Sequence, residues 1–168
     1  YEYNNPREDR ILSWDFIIEN GEFSVGPATA LGSPTLYQVE SIQADKHYQT
    51  LLVAEEMKKH HKVMVLDLMT GEVIKEDLGN FDRGNDPEGI ALVINKDNNG
   101  YWICTEQSKT DNRFHLYDRK TLEYKTTMYL ENVSYTDGIA TAYMHGKWFL
   151  YAVDNDARVV AFELPEIN

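Results

Sequence analysis

The sequence has few basic residues and only one cysteine, and each scarcity narrows the range of possible functions. Its 168 residues include 16 Lys and Arg against 28 Asp and Glu, which gives a formal net charge of −12. A nucleic-acid partner is not expected, because contacts to phosphates need a basic face that this composition does not provide. The single Cys104 excludes an internal disulfide and any metal site built from several cysteines.

Long hydrophobic runs are also missing. The longest wholly apolar segments, such as residues 148–153, extend over only six residues. About 20 such residues are needed to cross a bilayer as a helix. The sequence therefore predicts no membrane span.

The chain contains instead many aromatic residues in a strand-like alternation. Aromatics make up 12% of the residues, and apolar positions mostly alternate with polar ones, which is the period of a strand with one buried face. We predict an all-β fold without helices. Residues 12–18 carry apolar side chains at every second position, and a turn at 19–21 leads into 22–25, which predicts a hairpin. The tryptophans on such strands are expected in the core: Trp14, Trp102 and Trp148.

A repeat of about 48 residues is the most informative pattern in the chain. Segments 39–43, 87–91 and 136–140 each place an acidic residue before a small residue and an isoleucine, and the acidic positions are 48 and 49 residues apart. Each copy continues into an apolar strand with a polar end and then into a third, alternating strand. Such units predict blades of a β-propeller, which start near residues 38, 86 and 135.

The number of repeats is too small for a closed ring. The 168 residues hold about three and a half blades, whereas propellers typically have about four to eight. We therefore expect residues 1–168 to form one partial propeller domain, which missing blades or another chain complete. A fragment of a larger propeller is favoured, because residues 1–10 enter a strand pattern with no inner strands before them.

Acidic residues at equivalent repeat positions are expected to gather around the propeller axis, because the first strand of every blade lines the central channel. Carboxylates without basic partners repel one another, which raises their pKa values or favours a bound cation, and oxygen ligands suit Ca²⁺ better than Zn²⁺. A solvated surface position also explains any single one of them, but matching positions in three repeats favour a cation site. The predicted set is Glu40, Asp86, Glu88 and Asp137, with Glu56, Gln107 and residues 154–156 just outside it.

These same segments resemble the β-propeller phytases. The resemblance rests on 39–45 with 52–56, on 86–90 with 100–107 and on 135–139, and its order and spacing extend from about residue 7 to residue 164. It implies a six-bladed, secreted or periplasmic propeller that uses several Ca²⁺ ions to hydrolyse phosphate monoesters of myo-inositol hexakisphosphate (phytate).

The resemblance also implies roles for particular residues. A metal-activated water attacks phosphorus in this family, and the matching catalytic carboxylates here are Glu40, Glu88 and Asp137. The physical chemistry agrees, since a chain of net charge −12 repels phytate unless cations bridge the two. The implied calcium ligands are Glu40, Glu56, Asp86, Glu88, Gln107 and Asp137.

Departures from the family pattern concern the surroundings of these ligands. Residues 105–108 are Thr-Glu-Gln-Ser where phytases often have Ser-Ser-Gln-Gly, and residues 134–135 are Ser-Tyr where the family has Ser-Asp. Arg7 matches one basic substrate-binding position, and an exposed surface arginine explains it equally well. Most basic phosphate clamps of the family belong to the missing front half, so we expect this chain alone to be a poor phosphatase.

Two other functions fit the same carboxylates. A propeller lactonase or arylesterase-like hydrolase also uses axial Ca²⁺ but needs no basic phosphate clamps, and a non-catalytic propeller uses calcium only structurally. The number of metals and the Lys or Arg residues near them distinguish the first alternative. Metal binding without turnover indicates the second.

The remaining reactive side chains are expected to have no chemical role. His60 and His61 lie between two predicted strands on a solvated loop tip, and adjacent histidines do not by themselves make a zinc site. His115 and His145 have no partners at recognisable spacing. Cys104, on an apolar strand, is expected to be a small buried hydrophobe.

Overall fold

A computed structural model of the protein describes residues 9–32, 34–57, 59–82, 84–110 and 112–165. The described residues form fifteen β-strands and no helix, as the alternating pattern predicted, and none of these segments qualifies as a membrane-spanning helix. The strands are β1 (Leu12–Ser13), β2 (Phe16–Glu19), β3 (Glu22–Val25), β4 (Thr29–Ala30), β5 (Val39–Asp45), β6 (Thr50–Glu55), β7 (Lys62–Asp67), β8 (Val73–Lys75), β9 (Asp86–Ile94), β10 (Gly100–Gln107), β11 (Arg113–Asp118), β12 (Tyr124–Tyr129), β13 (Ile139–Met144), β14 (Lys147–Asp154) and β15 (Arg158–Glu163).

Three antiparallel sheets make up most of the structure. The first sheet has the order β5-β6-β7-β8, the second has β9-β10-β11-β12, and the third has β13-β14-β15. In each of them, consecutive strands are hydrogen-bonded neighbours. This up-and-down arrangement is that of propeller blades, so the predicted fold class is confirmed.

The three sheets stack face to face in chain order. Neighbouring residues of a strand point to opposite faces. The side chains of β10 therefore pack alternately into two separate hydrophobic clusters. Trp102 packs in a cluster with Leu52 of the first sheet, and Ile103 packs in a cluster with Leu150 of the third. Trp102 and Ile103 are both fully buried, so the second sheet is covered on both faces.

The inner strands β5, β9 and β13 lie side by side at one edge of this stack. The Ser41 hydroxyl oxygen accepts a hydrogen bond from the Ile90 amide at 3.1 Å, and the Thr141 hydroxyl donates to the Leu92 carbonyl at 2.8 Å. Each of these pairs is 49 residues apart in sequence. Gly89 permits the close approach on the β13 side, because a Cβ atom there would lie 2.8 Å from the Ile139 nitrogen.

The N-terminal segment differs from its prediction. The hairpin of β2 and β3 is present, with positive φ angles of 53° at Asn20 and 83° at Gly21 in its turn. Residues 12–18, however, form two strands in different sheets, since β1 pairs with β4 and β2 with β3. Trp14 is 47% exposed, so its predicted core position is wrong. Trp14 lies between β1 and β2 and belongs to neither strand, so alternation with its neighbours does not place it on a buried face.

The third acidic segment also differs from the prediction of an inner strand over 136–140. The strand β13 begins only at Ile139. Tyr135 has a φ angle of +45°, which is incompatible with extended backbone. Asp137 therefore lies in the segment that enters the third sheet and not within its first strand.

Candidate functional site

Five carboxylates from the three sheets converge where the inner strands begin and the second strands end. The inner strand β9 contacts both β5 and β13, and the carboxyl groups near the starts of these strands affect one another's pKa. We call this group the acidic mouth. It comprises Glu40 on β5, Glu56 just after β6, Asp86 and Glu88 on β9, and Asp137 just before β13.

The electrostatics of the acidic mouth are those of crowded negative charges. Glu88 is only 7% exposed, and its burial together with the charges of the other four carboxylates raises its pKa to about 8. Burial, a hydrogen bond with Glu40 and the neighbouring charges raise the pKa of Glu56 to about 7. Burial also raises the pKa of Asp137, with a further contribution from the charge of Asp156. The mouth therefore holds its full negative charge poorly at neutral pH without a cation.

Two glutamine side chains donate into the acidic mouth. The Gln38 Nε2 group donates to Glu40 Oε1 at 3.0 Å and also to Glu56 Oε2, so this amide lies between two carboxylates. Gln107 Nε2 donates to Asp137 Oδ1, which brings the predicted ligands Gln107 and Asp137 together. For Gln107 to bind a cation beside Asp137, its amide must turn so that Oε1 faces the ion, since only the oxygen is a ligand.

The residues of the mouth fit a hard divalent cation by their chemistry. Among the described residues, none of the five carboxylates forms an ion pair with Lys or Arg. Their donor atoms are all oxygens, which is the ligand type that Ca²⁺ requires. Within the part of the chain that is described, no three His, Cys, Asp or Glu side chains already have the arrangement of a metal site. To hold an ion, side chains of the mouth would have to reorient around it.

One histidine lies against the acidic mouth. The His61 side chain is only 9% exposed, and its Nε2 atom lies 3.2 Å from Asp86 Oδ1. The expectation of a solvated loop tip is therefore wrong for His61. The sequence pattern missed this because the contact joins the β6–β7 connection of the first sheet to the inner strand of the second.

A second set of carboxylates, at the ends of β6, β10 and β14, supports the mouth. In the first sheet, Glu55 is buried and accepts hydrogen bonds from the Tyr37 and Gln38 amides, both at 2.7 Å. These two residues lead into β5 and thus to Glu40. The buried carboxylate fixes the entry of the inner strand, while the next residue, Glu56, is part of the mouth.

Glu106 has the equivalent position in the second sheet. It is fully buried and accepts hydrogen bonds from the Asp82 amide at 3.1 Å and the Asn85 side chain at 2.6 Å, just before β9 begins. The His115 Nε2 atom lies 2.7 Å from Glu106 Oε2, so His115 has a partner that its spacing in the sequence did not reveal. Burial by itself raises the pKa of Glu106, but these hydrogen bonds outweigh that effect and hold the pKa below its ordinary value.

Asp154 repeats the arrangement in the third sheet. Its Oδ1 atom accepts from the Ser134 amide at 3.0 Å and its Oδ2 atom from Arg158 Nε at 2.7 Å, and these contacts hold its pKa below the ordinary value. The sequence signal for all three was their shared place in the repeat, one residue before Glu56, Gln107 and Asn155. In the first repeat, sequence alone does not distinguish the buried Glu55 from the half-buried Glu56 beside it.

Comparison with known protein families identifies the family of the chain. The family model for phytases matches residues 17–146. The chain belongs to the phytase family. A search of curated proteins gave no match. Phytases are phosphatases of phosphorylated inositols, and the matched range contains all five residues of the acidic mouth and Gln107.

The predicted site residues are thus distributed as follows. Glu40, Glu56, Asp86, Glu88 and Asp137 come together, and Gln107 contacts Asp137. Asp156 lies close enough to affect the pKa of Asp137. Arg7, the predicted substrate-binding residue, lies outside the described residues.

Proposed function

We propose that the acidic mouth binds Ca²⁺ and is part of an active site that hydrolyses a phosphate monoester of phytate. The observation that carries the proposal is the convergence of five carboxylates without Lys or Arg partners among the described residues, in a chain of the phytase family. Calcium held by these carboxylates would supply positive charge for the substrate phosphate and could lower the pKa of a water molecule for attack on phosphorus.

The carboxylates of the mouth divide into exposed and buried groups. Glu40 and Asp137 are exposed, so a large polyanionic substrate can reach ions that they hold. Glu88 is buried beside them, so the mouth combines exposed carboxylates with one that is shielded from water. We therefore propose Glu40, Glu88 and Asp137 as the catalytic carboxylates, with Glu56, Asp86 and Gln107 as further calcium ligands.

At the acidic mouth, bound cations are needed to attract a phosphorylated substrate. No described Lys or Arg pairs with the acidic mouth, and six phosphates are repelled by its carboxylates at close range. We propose that basic groups from additional blades or another chain, together with Arg7, complete the phosphate-binding surface. A secreted or periplasmic location, where calcium is plentiful, fits the need for bound calcium.

The proposal is tested by phosphate release from phytate with millimolar calcium and with a chelator. The 168-residue chain and a longer chain extended at its N-terminus are compared, each also as the Glu88→Gln variant. Glu123→Gln, at an exposed turn residue, removes the same charge outside the mouth and is the matched control. We expect calcium-dependent release by the longer chain, little by the shorter one, and loss of release in Glu88→Gln only.

The opposite result has a clear meaning. If neither chain releases phosphate although calcium raises the melting temperature, the phytase activity is refuted. A calcium-binding propeller, or a hydrolase of another substrate class, is then indicated.

A further inference from the structure

His61 is a buried polar side chain without a satisfied hydrogen bond. Its side chain is 9% exposed, and neither Nδ1 nor Nε2 has an aligned hydrogen-bond partner among the described residues. The preceding His60 differs, because its ring stacks on Tyr37 at 4.6 Å between ring centroids. Buried imidazole nitrogens are normally satisfied, so the position of His61 requires an explanation.

The nearest acidic group offers that explanation. His61 precedes β7 of the first sheet, while Asp86 begins β9 of the second sheet, and their Nε2 and Oδ1 atoms are 3.2 Å apart. This separation is within hydrogen-bond range, although the groups are not aligned as they stand. Asp86 is 34% exposed and can rotate its carboxylate into alignment.

An imidazole N–H is well suited to orient a metal-binding carboxylate. A hydrogen bond to one carboxylate oxygen fixes the plane of the group and directs the other oxygen to the ion. A histidine ring supplies one N–H at a fixed position. A lysine or arginine in this place would bring a full positive charge next to Asp86, as Arg119 does at Asp45.

We propose that His61 is a positioning residue for Asp86. His61 donates from Nε2 to Oδ1 of Asp86, and this contact presents the remaining oxygen Oδ2 to a divalent cation in the acidic mouth. The inference rests on the proposed function, since it assumes that the mouth binds calcium. It adds a residue from the β6–β7 connection that spans two sheets and connects them when the ion is bound.

The test is calcium binding to the 168-residue chain, measured by isothermal titration calorimetry. His61→Phe keeps a buried ring and removes both nitrogens, whereas His61→Gln retains a side-chain N–H donor. Loss of a hydrogen-bond partner of a metal ligand typically weakens metal affinity by about 10- to 100-fold. We expect a loss of this size in His61→Phe and recovery of most of it in His61→Gln. His60→Phe, which retains a ring against Tyr37, is the matched control and is expected to bind like the wild type.

A double-mutant cycle with Asp86→Asn separates positioning from a general structural role. If His61 acts through Asp86, His61→Phe causes no further loss of affinity in the Asp86→Asn background. The melting temperature without calcium should not fall in His61→Phe, because the substitution removes polar atoms that lack partners. Unchanged calcium affinity in His61→Phe, or an equal loss in both backgrounds, overturns the proposal while calcium binding by the wild type still stands. Absence of calcium binding by the wild type overturns both this proposal and the proposed function.

Discussion

Buried carboxylates have opposite surroundings at the two ends of the inner strands. At one end Asp45 is 2% exposed and accepts two hydrogen bonds from Arg119, at 2.6 and 2.8 Å, which help to hold its pKa below the ordinary value. At the other end Glu88 is 7% exposed and pairs with no Lys or Arg among the described residues, and its pKa is raised to about 8. A built-in cation makes the first carboxylate structural. The second lacks one, which leaves a place for a cation from solution.

The largest effect is expected from removing the cation that the fold supplies. Arg119→Met leaves Asp45 buried and unpaired, which should lower the free energy of unfolding by about 3–5 kcal/mol. Arg119 also donates to the Asn98 carbonyl at 2.5 Å and lies 5.1 Å from the Tyr48 ring centroid, so these contacts are lost as well. Urea denaturation measures the change.

The control for this experiment is an ion pair on the exposed surface. Lys147 and Glu163 are 56% and 52% exposed and form an ion pair at 2.7 Å. Because solvent screens exposed pairs, Lys147→Met should cost less than about 1 kcal/mol. Equal losses in the two variants would contradict the difference drawn between a buried and an exposed ion pair.

The next effect concerns the cation that the acidic mouth is proposed to take from solution. Calcium at about 100 times its dissociation constant should stabilise the wild-type chain by about 2.7 kcal/mol. We expect Glu88→Gln to lose most of this stabilisation, seen as a smaller calcium-induced rise in melting temperature. Glu123→Gln should keep it. The same rise in Glu88→Gln and the wild type would show that calcium binds elsewhere.

A smaller effect is expected from the backbone that brings the sheets together at the mouth. Gly89→Ala places a methyl group 2.8 Å from the Ile139 nitrogen, which should force β9 and β13 apart at a cost of about 1–3 kcal/mol. It should also weaken calcium binding, because Glu88 and Asp137 lie on the two sides of this contact. Gly84→Ala is the control, since a Cβ atom there meets nothing within 4 Å. Equal stability of both alanine variants would refute the close packing at Gly89.

A further effect is a dependence on pH that distinguishes the two ends. Glu88 and Glu56 have folded-state pKa values of about 8 and 7, whereas an unfolded glutamate titrates near about 4.3. At pH values between the unfolded and the folded pKa, the folded chain without calcium therefore holds more protons than the unfolded chain. Its stability should fall as the pH rises from about 5 to 8. Asp45, whose pKa is lowered, contributes stability that is lost only as the pH falls below the usual aspartate range.

Urea denaturation with a chelator at several pH values measures this dependence. We expect a declining free energy of unfolding in the wild type and a flatter profile in Glu88→Gln. A profile that rises from pH 5 to pH 8 in both would contradict the raised pKa values.

The repeat carried enough information to predict the sheets and most of the mouth. Alternation follows from the two faces of a strand, and the spacing of Glu40, Glu88 and Asp137 is the length of one repeat, so both are visible in the sequence. The pairing of Asp45 with Arg119 is not, because the partners are 74 residues apart. Neither is the burial of Glu55 beside the less buried Glu56, since both are the same residue type and only packing between sheets separates them.

His61 shows the same limit of sequence reasoning. Its local sequence, between lysines and a strand, is typical of a solvated turn, yet its ring is buried against Asp86 of another sheet. The positions of such side chains depend on how the sheets stack. Local periodicity does not contain that information.

The most direct test of the proposed cation site is a crystal structure of the chain grown with calcium. We expect at least one ion in the acidic mouth, about 2.3–2.6 Å from carboxylate oxygens of two or more of the three sheets, with Glu88 among the ligands. Crystals with millimolar calcium and no ion between Glu40, Glu56, Glu88 and Asp137 would contradict the assignment of the acidic mouth as a calcium site.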